Sequence, residues 1–248
     1  MILRRKRAPV VPDQDAVVDR ALCISVTAML GAIVAGLEEG EMDDEQAAAY
    51  VTESHRWLRR ETLADSLSSR ERALVAKPLA DWTEQESIDV EWRSESLGVL
   101  LWALSAVEEM PPYDARFEAL PSLVPLLAPT ADFRRTASLR PAQEIEIARD
   151  LAELWHWRAR TRQLQERGDP QAAAHDLDAI ARQTAALSYA RGGIPEPIDG
   201  DFPAFGKAYR ALDENEYSAV TSASAERHYA LNWLSGYASD WDRVPTET

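Results

Sequence analysis

Glu91-Trp92-Arg93-Ser94-Glu95-Ser96-Leu97-Gly98-Val99-Leu100-Leu101-Trp102-Ala103-Leu104 starts with charges and ends in an apolar run that continues to Val107, interrupted only by Gly98 and Ser105. At about 100° per residue such a run has no polar side to turn toward water, so it predicts a helix inside the protein. The same projection puts Arg93 in the stripe of Leu97, Leu100 and Leu104. A guanidinium that keeps its charge then points at the core and needs a buried partner.

Signals on either side place the other elements. Thr83-Glu84-Gln85-Glu86 has capping-box spacing and opens the approach to this helix, which is expected to end before Pro111-Pro112. Upstream, Pro12 and Asp13 open a first helix to about Leu37, and Gly40 with the carboxylates from Glu38 to Glu45 marks a turn. A second helix is expected from about Asp44 to Arg60, and Ser68-Ser69-Arg70-Glu71 announces a third that Pro78 stops. Prolines 111, 112, 121, 125 and 129 leave room only for short helical turns before Pro141. Leu120, Leu123, Val124, Leu126 and Leu127 are expected to pack this connector onto a common core. Pro141 reads as the first position of a long helix to about Arg167, and Gly168-Asp169-Pro170 separates it from a helix ending at Gly192-Gly193. A Pro/Gly-rich loop, Ile194 to Gly206, leads to a final helix from about Glu214 to Tyr237. The pattern predicts an all-α fold: a flexible basic arm over residues 1–11, then a single helical-bundle-like domain of about seven or eight helices over residues 12–248, with the Pro-rich connector 111–141 inside it.

Composition narrows the class of function. With 248 residues, 46% of them apolar, and eight Trp, the chain can bury a sizeable core. One Cys excludes an intramolecular disulfide framework and suits a cytoplasmic, reducing setting. Cys23 lies in the most apolar run and reads as a small core hydrophobe. A net charge of −15 argues against nucleic acid, which is gripped by Lys and Arg at phosphates, and is compatible with a basic protein partner. The first helix is the one candidate for a membrane span, but Asp13, Asp15 and Asp19 precede its apolar run and Glu38-Glu39 follow it, so no membrane role is expected.

Few residues could carry chemistry. Glu226 falls in the apolar face of the final helix with Tyr229, Ala230, Trp233 and Leu234, while His228, Asn232 and Ser235 are expected to face away. Arg158 falls in the stripe of Ile147, Leu151 and Leu154. Charges on three helices thus point inward, and Glu226 is expected to bridge Arg93 or Arg158, with Glu95 and Arg227 closing the network. Such a cluster either fixes helix register or holds an anionic ligand, since Arg recognises carboxylate and phosphate in bidentate fashion. Glu153-Leu154-Trp155-His156 has the Glu-x-x-His spacing of a di-iron bundle only once, so no metal site and no cofactor are expected. Trp155, Trp157, Trp233 and Trp241 read as core, with Trp241 plugging the C-terminal tail back onto the bundle.

Two passages carry a family resemblance: Trp92-Arg93-Ser94-Glu95-Ser96-Leu97 leading into Leu101-Trp102-Ala103-Leu104, and Glu226-Arg227-His228-Tyr229-Ala230-Leu231-Asn232-Trp233-Leu234 followed by Asp240-Trp241-Asp242-Arg243-Val244-Pro245-Thr246-Glu247-Thr248. With Asp201-Phe202-Pro203-Ala204-Phe205-Gly206-Lys207-Ala208-Tyr209, they resemble the bacterial domain-of-unknown-function family 4272 from about Trp82 to the C-terminus, and more loosely over the first helix; Glu247 stands where that family usually has Asp, and the N-terminal third fits poorly. The resemblance implies a soluble, cytoplasmic, helical bacterial protein and supplies no catalytic residue, cofactor or partner. The residues themselves favour a non-catalytic protein-interaction or regulatory domain. The competing expectation is an enzyme or small-ligand sensor at Arg93, Glu95, Arg158, Glu226 and Arg227, with Glu95 or His156 as acid/base groups. An open cavity at the cluster favours the second, and a closed set of pairs the first.

Overall fold

The computed structural model describes residues 10–168 and 175–247. Residues 1–9 of the expected basic arm, and Asp169-Pro170 of the expected separator, lie outside them. The described residues hold nine α-helices: α1 (Gln14–Glu38), α2 (Asp44–Arg60), α3 (Ser69–Ala76), α4 (Glu84–Ala103), α5 (Leu120–Leu123), α6 (Ala131–Thr136), α7 (Ala142–Arg167), α8 (Leu177–Ala190) and α9 (Glu214–Leu234). The fold is all-α: seven of these helices lie where the sequence places them, and the other two, α5 and α6, are short turns of the Pro-rich segment.

The starts follow from capping chemistry. Asp13 accepts the Ala16 N–H at 2.9 Å, and full capping boxes form at Asp43/Gln46, Ser68/Glu71, Thr83/Glu86 and Asp213/Glu216. Gly168, at φ 61°, ends α7 in the left-handed conformation that glycine adopts without cost.

Packing makes α4 and α9 the middle of the molecule. α1 lies on α4, α4 on α9, and α9 on α7, so the last long helix is wedged between two earlier ones. Every α4 residue from Glu95 to Ala103 is buried, as the opening apolar run requires. At Gly98 an added Cβ would come within 2.2 Å of the Phe117 ring, so this glycine lets the Pro-rich segment lie directly on the helix. Tyr113, Leu120 and Val124 join the common core.

α4 stops at Ala103, short of the prolines. Its last carbonyls are satisfied in part by the turn that follows, where Ser105 at φ 59° donates to Trp102 O and Ala106 to Leu101 O, both at 2.9 Å, and in part from further along: Arg140 N–H donates to Ala103 O at 2.8 Å, Ser138 N–H to Leu104 O at 3.1 Å, and the Arg140 guanidinium to the carbonyls of Trp102, Val107 and Glu108. The helix therefore has no need of further turns.

α1 is long and apolar enough, by length and composition, to cross a membrane. Here it is a core helix: Val17, Val18, Ala21, Leu22, Cys23 and Val26 are fully buried, and Arg20 from the same buried side pairs with Glu71 of α3. Burial pushes the Cys23 thiol up to about 12, with the Glu71 charge adding to the effect, so it stays a protonated core group.

A two-stranded hairpin, β1 (Pro203–Ala204) and β2 (Lys207–Ala208), turns at Phe205-Gly206, both at positive φ (51° and 70°). The chain's end returns to the bundle. Trp241 packs edge-on against Tyr229 and Trp233 at 5.1 and 5.3 Å between centroids, the Tyr229 hydroxyl donates to the Trp241 carbonyl, and Asn232 donates to Pro245 O at 2.8 Å.

Candidate functional site

The five charged residues nominated from the sequence do not form one network. With Asp201 as a sixth residue, they form three ion pairs, each joining different elements. Arg93 of α4 meets Glu226 of α9 at 3.0 Å, and the Ser96 hydroxyl donates to the same carboxylate at 2.7 Å. The pair is partly open to solvent, and the Arg93 guanidinium lies over the Tyr229 ring at 4.4 Å. Burial pushes the Glu226 carboxyl above its usual range, against the pull of Arg93 and Ser96.

Glu95 and Arg227 form the second pair, at 2.7 Å and with at most 1% of either side chain exposed. Every nitrogen of the guanidinium has an internal acceptor. Nε donates to the Glu95 carboxylate, with Nη2 2.7 Å from the same oxygen, Nη1 serves Pro111 O at 2.6 Å and Pro112 O at 3.2 Å, and Nη2 donates to Ala115 O at 2.7 Å. The other Glu95 oxygen accepts the Phe117 N–H at 3.1 Å. Together the pair ties α4, α9 and the residue 111–117 segment to one another.

Arg158 does not reach Glu226. It forms a bidentate pair with Asp201 at 2.7 Å through both Nε and Nη2, while its buried Nη1 has no partner among the described residues. Burial works to raise the Asp201 pKa, but the Arg158 hydrogen bonds and the backbone N–H groups of Phe202 and Arg210 outweigh it and hold the carboxyl below its usual range. The expected stripe on α7 is also displaced. Ile147 is 63% exposed, and the inward face is Ile145, Ala148, Ala152, Trp155 and Ala159. Small alanines there let α9 approach closely, a role that a search for large aliphatic side chains passes over.

His228 and Asn232, expected to face away from the core, are buried at 2% and 3% exposure. The reason is that α9 has neighbours on two sides: Glu226 faces α4, and His228 faces α7. His228 Nδ1 lies 3.0 Å from His156 Nδ1, and Asn232 Nδ2 lies 2.9 Å from His228 Nε2 and 2.8 Å from Pro245 O. Asn232 must donate to the carbonyl, so its NH₂ also donates to His228 Nε2, and His228 in turn donates through Nδ1 to His156. Burial pushes both imidazoles down to about 4, helped by Arg160 at His156 and by His156 and Arg149 at His228. The chain therefore ties α7, α9 and the C-terminal tail in uncharged form. Among the described residues no group of three His, Cys, Asp or Glu side chains is placed to hold a metal.

Two cavities border these pairs. One, of about 260 Å³, lies between α1, α3, α4 and the C-terminal turn; Arg93, Arg70 and Lys77 line it, as do Glu71, Glu86, Asp89 and Asp242. The larger, about 740 Å³, is a cleft between the residue 108–114 loop, α7 and the loop from Gly193 to Gly206. Its walls include Trp102, Tyr113 and Trp155, with Tyr113 stacked on Trp155 at 4.9 Å, and Arg227 lies at its inner side. No periodicity could reveal this cleft, because loops build most of it.

The model of a family described as a domain of unknown function (DUF4272) matches residues 2–188. The chain belongs to this family. The DUF4272 match differs in extent from the likeness read above. It takes in the N-terminal third and stops before the hairpin, α9 and the tail, so Glu226, Arg227 and Asp201 supply three ion-pair partners from beyond the matched range. No curated protein and no solved structure matches the chain.

Proposed function

We propose that this DUF4272 protein is a non-catalytic, cytoplasmic binding domain that works through protein contacts. The observation that carries the reading is the closure of the Glu95–Arg227 pair, in which every guanidinium nitrogen already has an internal acceptor. A ligand anion arriving there would have to displace a carboxylate or a carbonyl to gain a hydrogen bond. The interior charges then act as struts that set helix register, and recognition falls to the surface and its clefts. An acidic body, at −15 overall, suits a basic protein partner.

One observation favours the competing reading of a small-anion sensor: Arg93, Arg70 and Lys77 converge on the 260 Å³ cavity. Glu71, Glu86, Asp89 and Asp242 line the same space and oppose an anion. Thermal unfolding of the wild type and Glu226→Ala, with and without phosphate, sulfate, citrate and common nucleotides, tests the two. The struts reading expects the variant to melt lower and no anion to move the wild type. An anion that raises the wild-type melting temperature in a concentration-dependent way overturns it.

A further inference from the structure

The 740 Å³ cleft has the size of a ligand site, since such sites run from about 300 to 1,000 Å³. Its lining residues differ in character. The aromatic rings of Trp102, Tyr113 and Trp155 are buried, while Glu108 and Glu109 are exposed and Asp114 is half-buried. Arg140 binds the main-chain oxygen of Glu108 and pairs its own charge with Glu144, and among the described residues the Glu108 carboxylate has no ion-pair partner. Asp114 accepts a hydrogen bond at 2.6 Å from the Phe205 backbone, a neutral donor that does not cancel its charge. The inner cation, Arg227, is matched by Glu95. The cleft therefore bears its negative charge on the more exposed residues and its aromatic surface on buried ones.

The walls are also held in place before anything binds. Pro111, Pro112, Pro195 and Pro203 restrict the backbone around the opening. Arg227 pins the carbonyls of Pro111, Pro112 and Ala115 from one side, and Arg140 pins those of Val107 and Glu108 from the other. A site fixed this way loses little entropy when occupied.

We propose that this cleft takes an arginine side chain presented by an extended basic segment of the protein partner. A guanidinium satisfies both halves of the site. Its flat, weakly hydrated plane is easier to bring against an apolar wall than a lysine ammonium, and its fork of N–H groups pairs with carboxylates in a way that ammonium cannot. The volume exceeds what one side chain needs, so the neighbouring residues of the segment enter as well. The assignment rests on the protein-binding reading above and names where that contact is made.

The probe is an N-acetylated, C-amidated hexa-arginine peptide, titrated by calorimetry into the full chain at 50 and 150 mM salt. Three proteins are compared: wild type, Glu108→Gln/Glu109→Gln, and Glu38→Gln/Glu39→Gln, a control that removes the same charge from an exposed stretch at the end of α1. The cleft assignment expects the first double variant to bind at least tenfold more weakly at both salt concentrations, and the control to stay within twofold of wild type. Equal weakening in the two double variants means diffuse attraction to an acidic surface and overturns the cleft. So does unchanged binding in the cleft variant, or no measurable binding by wild type. None of these outcomes depends on the anion panel, so the cleft can fail while the protein-binding reading stands.

Discussion

Replacing Glu95 by Leu and Arg227 by Met, singly and together, tests the strut reasoning most directly. Glu95→Leu leaves a guanidinium at 1% exposure without its counter-ion, and orphans the Phe117 N–H. Arg227→Met leaves a fully buried carboxylate and releases three carbonyls. Breaking a buried pair from one side costs about 3–5 kcal/mol, so either single change should remove a large part of the stability of an ordinary domain. The double variant decides the matter. An isolated buried ion pair replaced by apolar residues is often neutral or stabilising. Here the two side chains also serve three carbonyls and one N–H, and at roughly 1 kcal/mol each their loss leaves the double variant about 4 kcal/mol below wild type. That is less than the sum of the singles, so the cycle should show a coupling of roughly 2 kcal/mol or more. Urea unfolding of the four proteins at pH 7, followed by circular dichroism, gives the numbers. A double variant as stable as wild type would refute the claim that Arg227 holds the residue 111–115 segment in place.

Two further outcomes follow from the tail and the imidazoles. Truncation after Tyr237 removes Trp241 from its seat against Tyr229 and Trp233, a loss comparable to a buried Trp→Ala change of about 3–5 kcal/mol, and should lower the calorimetric melting temperature by roughly 5–15 °C; an unchanged melting point would show that the tail is not part of the core. His156 and His228 titrate near 4 when folded and near 6.5 when unfolded, so between those values the unfolded chain binds protons that the folded chain refuses, and stability falls as pH falls. By pH 5 the loss is about 2 kcal/mol per imidazole, read as a drop in urea midpoint between pH 7 and pH 5; His156→Gln should shrink that drop, and a wild type with equal midpoints at the two pH values would contradict the buried neutral chain.

Much of the helical frame could be read from local chemistry. Ser68/Glu71 and Thr83/Glu86 form the capping boxes their spacing announces, because those bonds depend only on residues within one turn. The Arg93–Glu226 pair was also legible, since two inward charges on apolar faces leave few ways to be satisfied. Other features depended on neighbours that a single helix does not display. Asp201 sits in a loop and has no periodic face, so nothing in the sequence aligned it with Arg158. α9 carries two buried faces, and a projection that assigns one apolar side must send His228 and Asn232 to solvent. α4 ends early where Ser105 turns left-handed and Arg140, far along the chain, occupies the Ala103 and Trp102 carbonyls. The cleft has no signature in the sequence for the same reason: its aromatic walls come from two helices and a connector whose approach to each other is set only by tertiary packing.

The position of α9 has a consequence for how the chain acquires its structure. α4 and α7 are both synthesised before α9, yet neither can cover its inner side until residues 214–234 arrive between them. A nascent chain that has not yet reached α9 lacks the helix that packs against both α4 and α7. Contacts such as Glu95 with Arg227 span 132 residues, about half of the polypeptide, and long-range contacts of this kind form slowly. The molecule must hold the faces that await α9 apart from other chains during synthesis, and its acidic charge, repelling its own copies, is suited to that interval as much as to the finished protein.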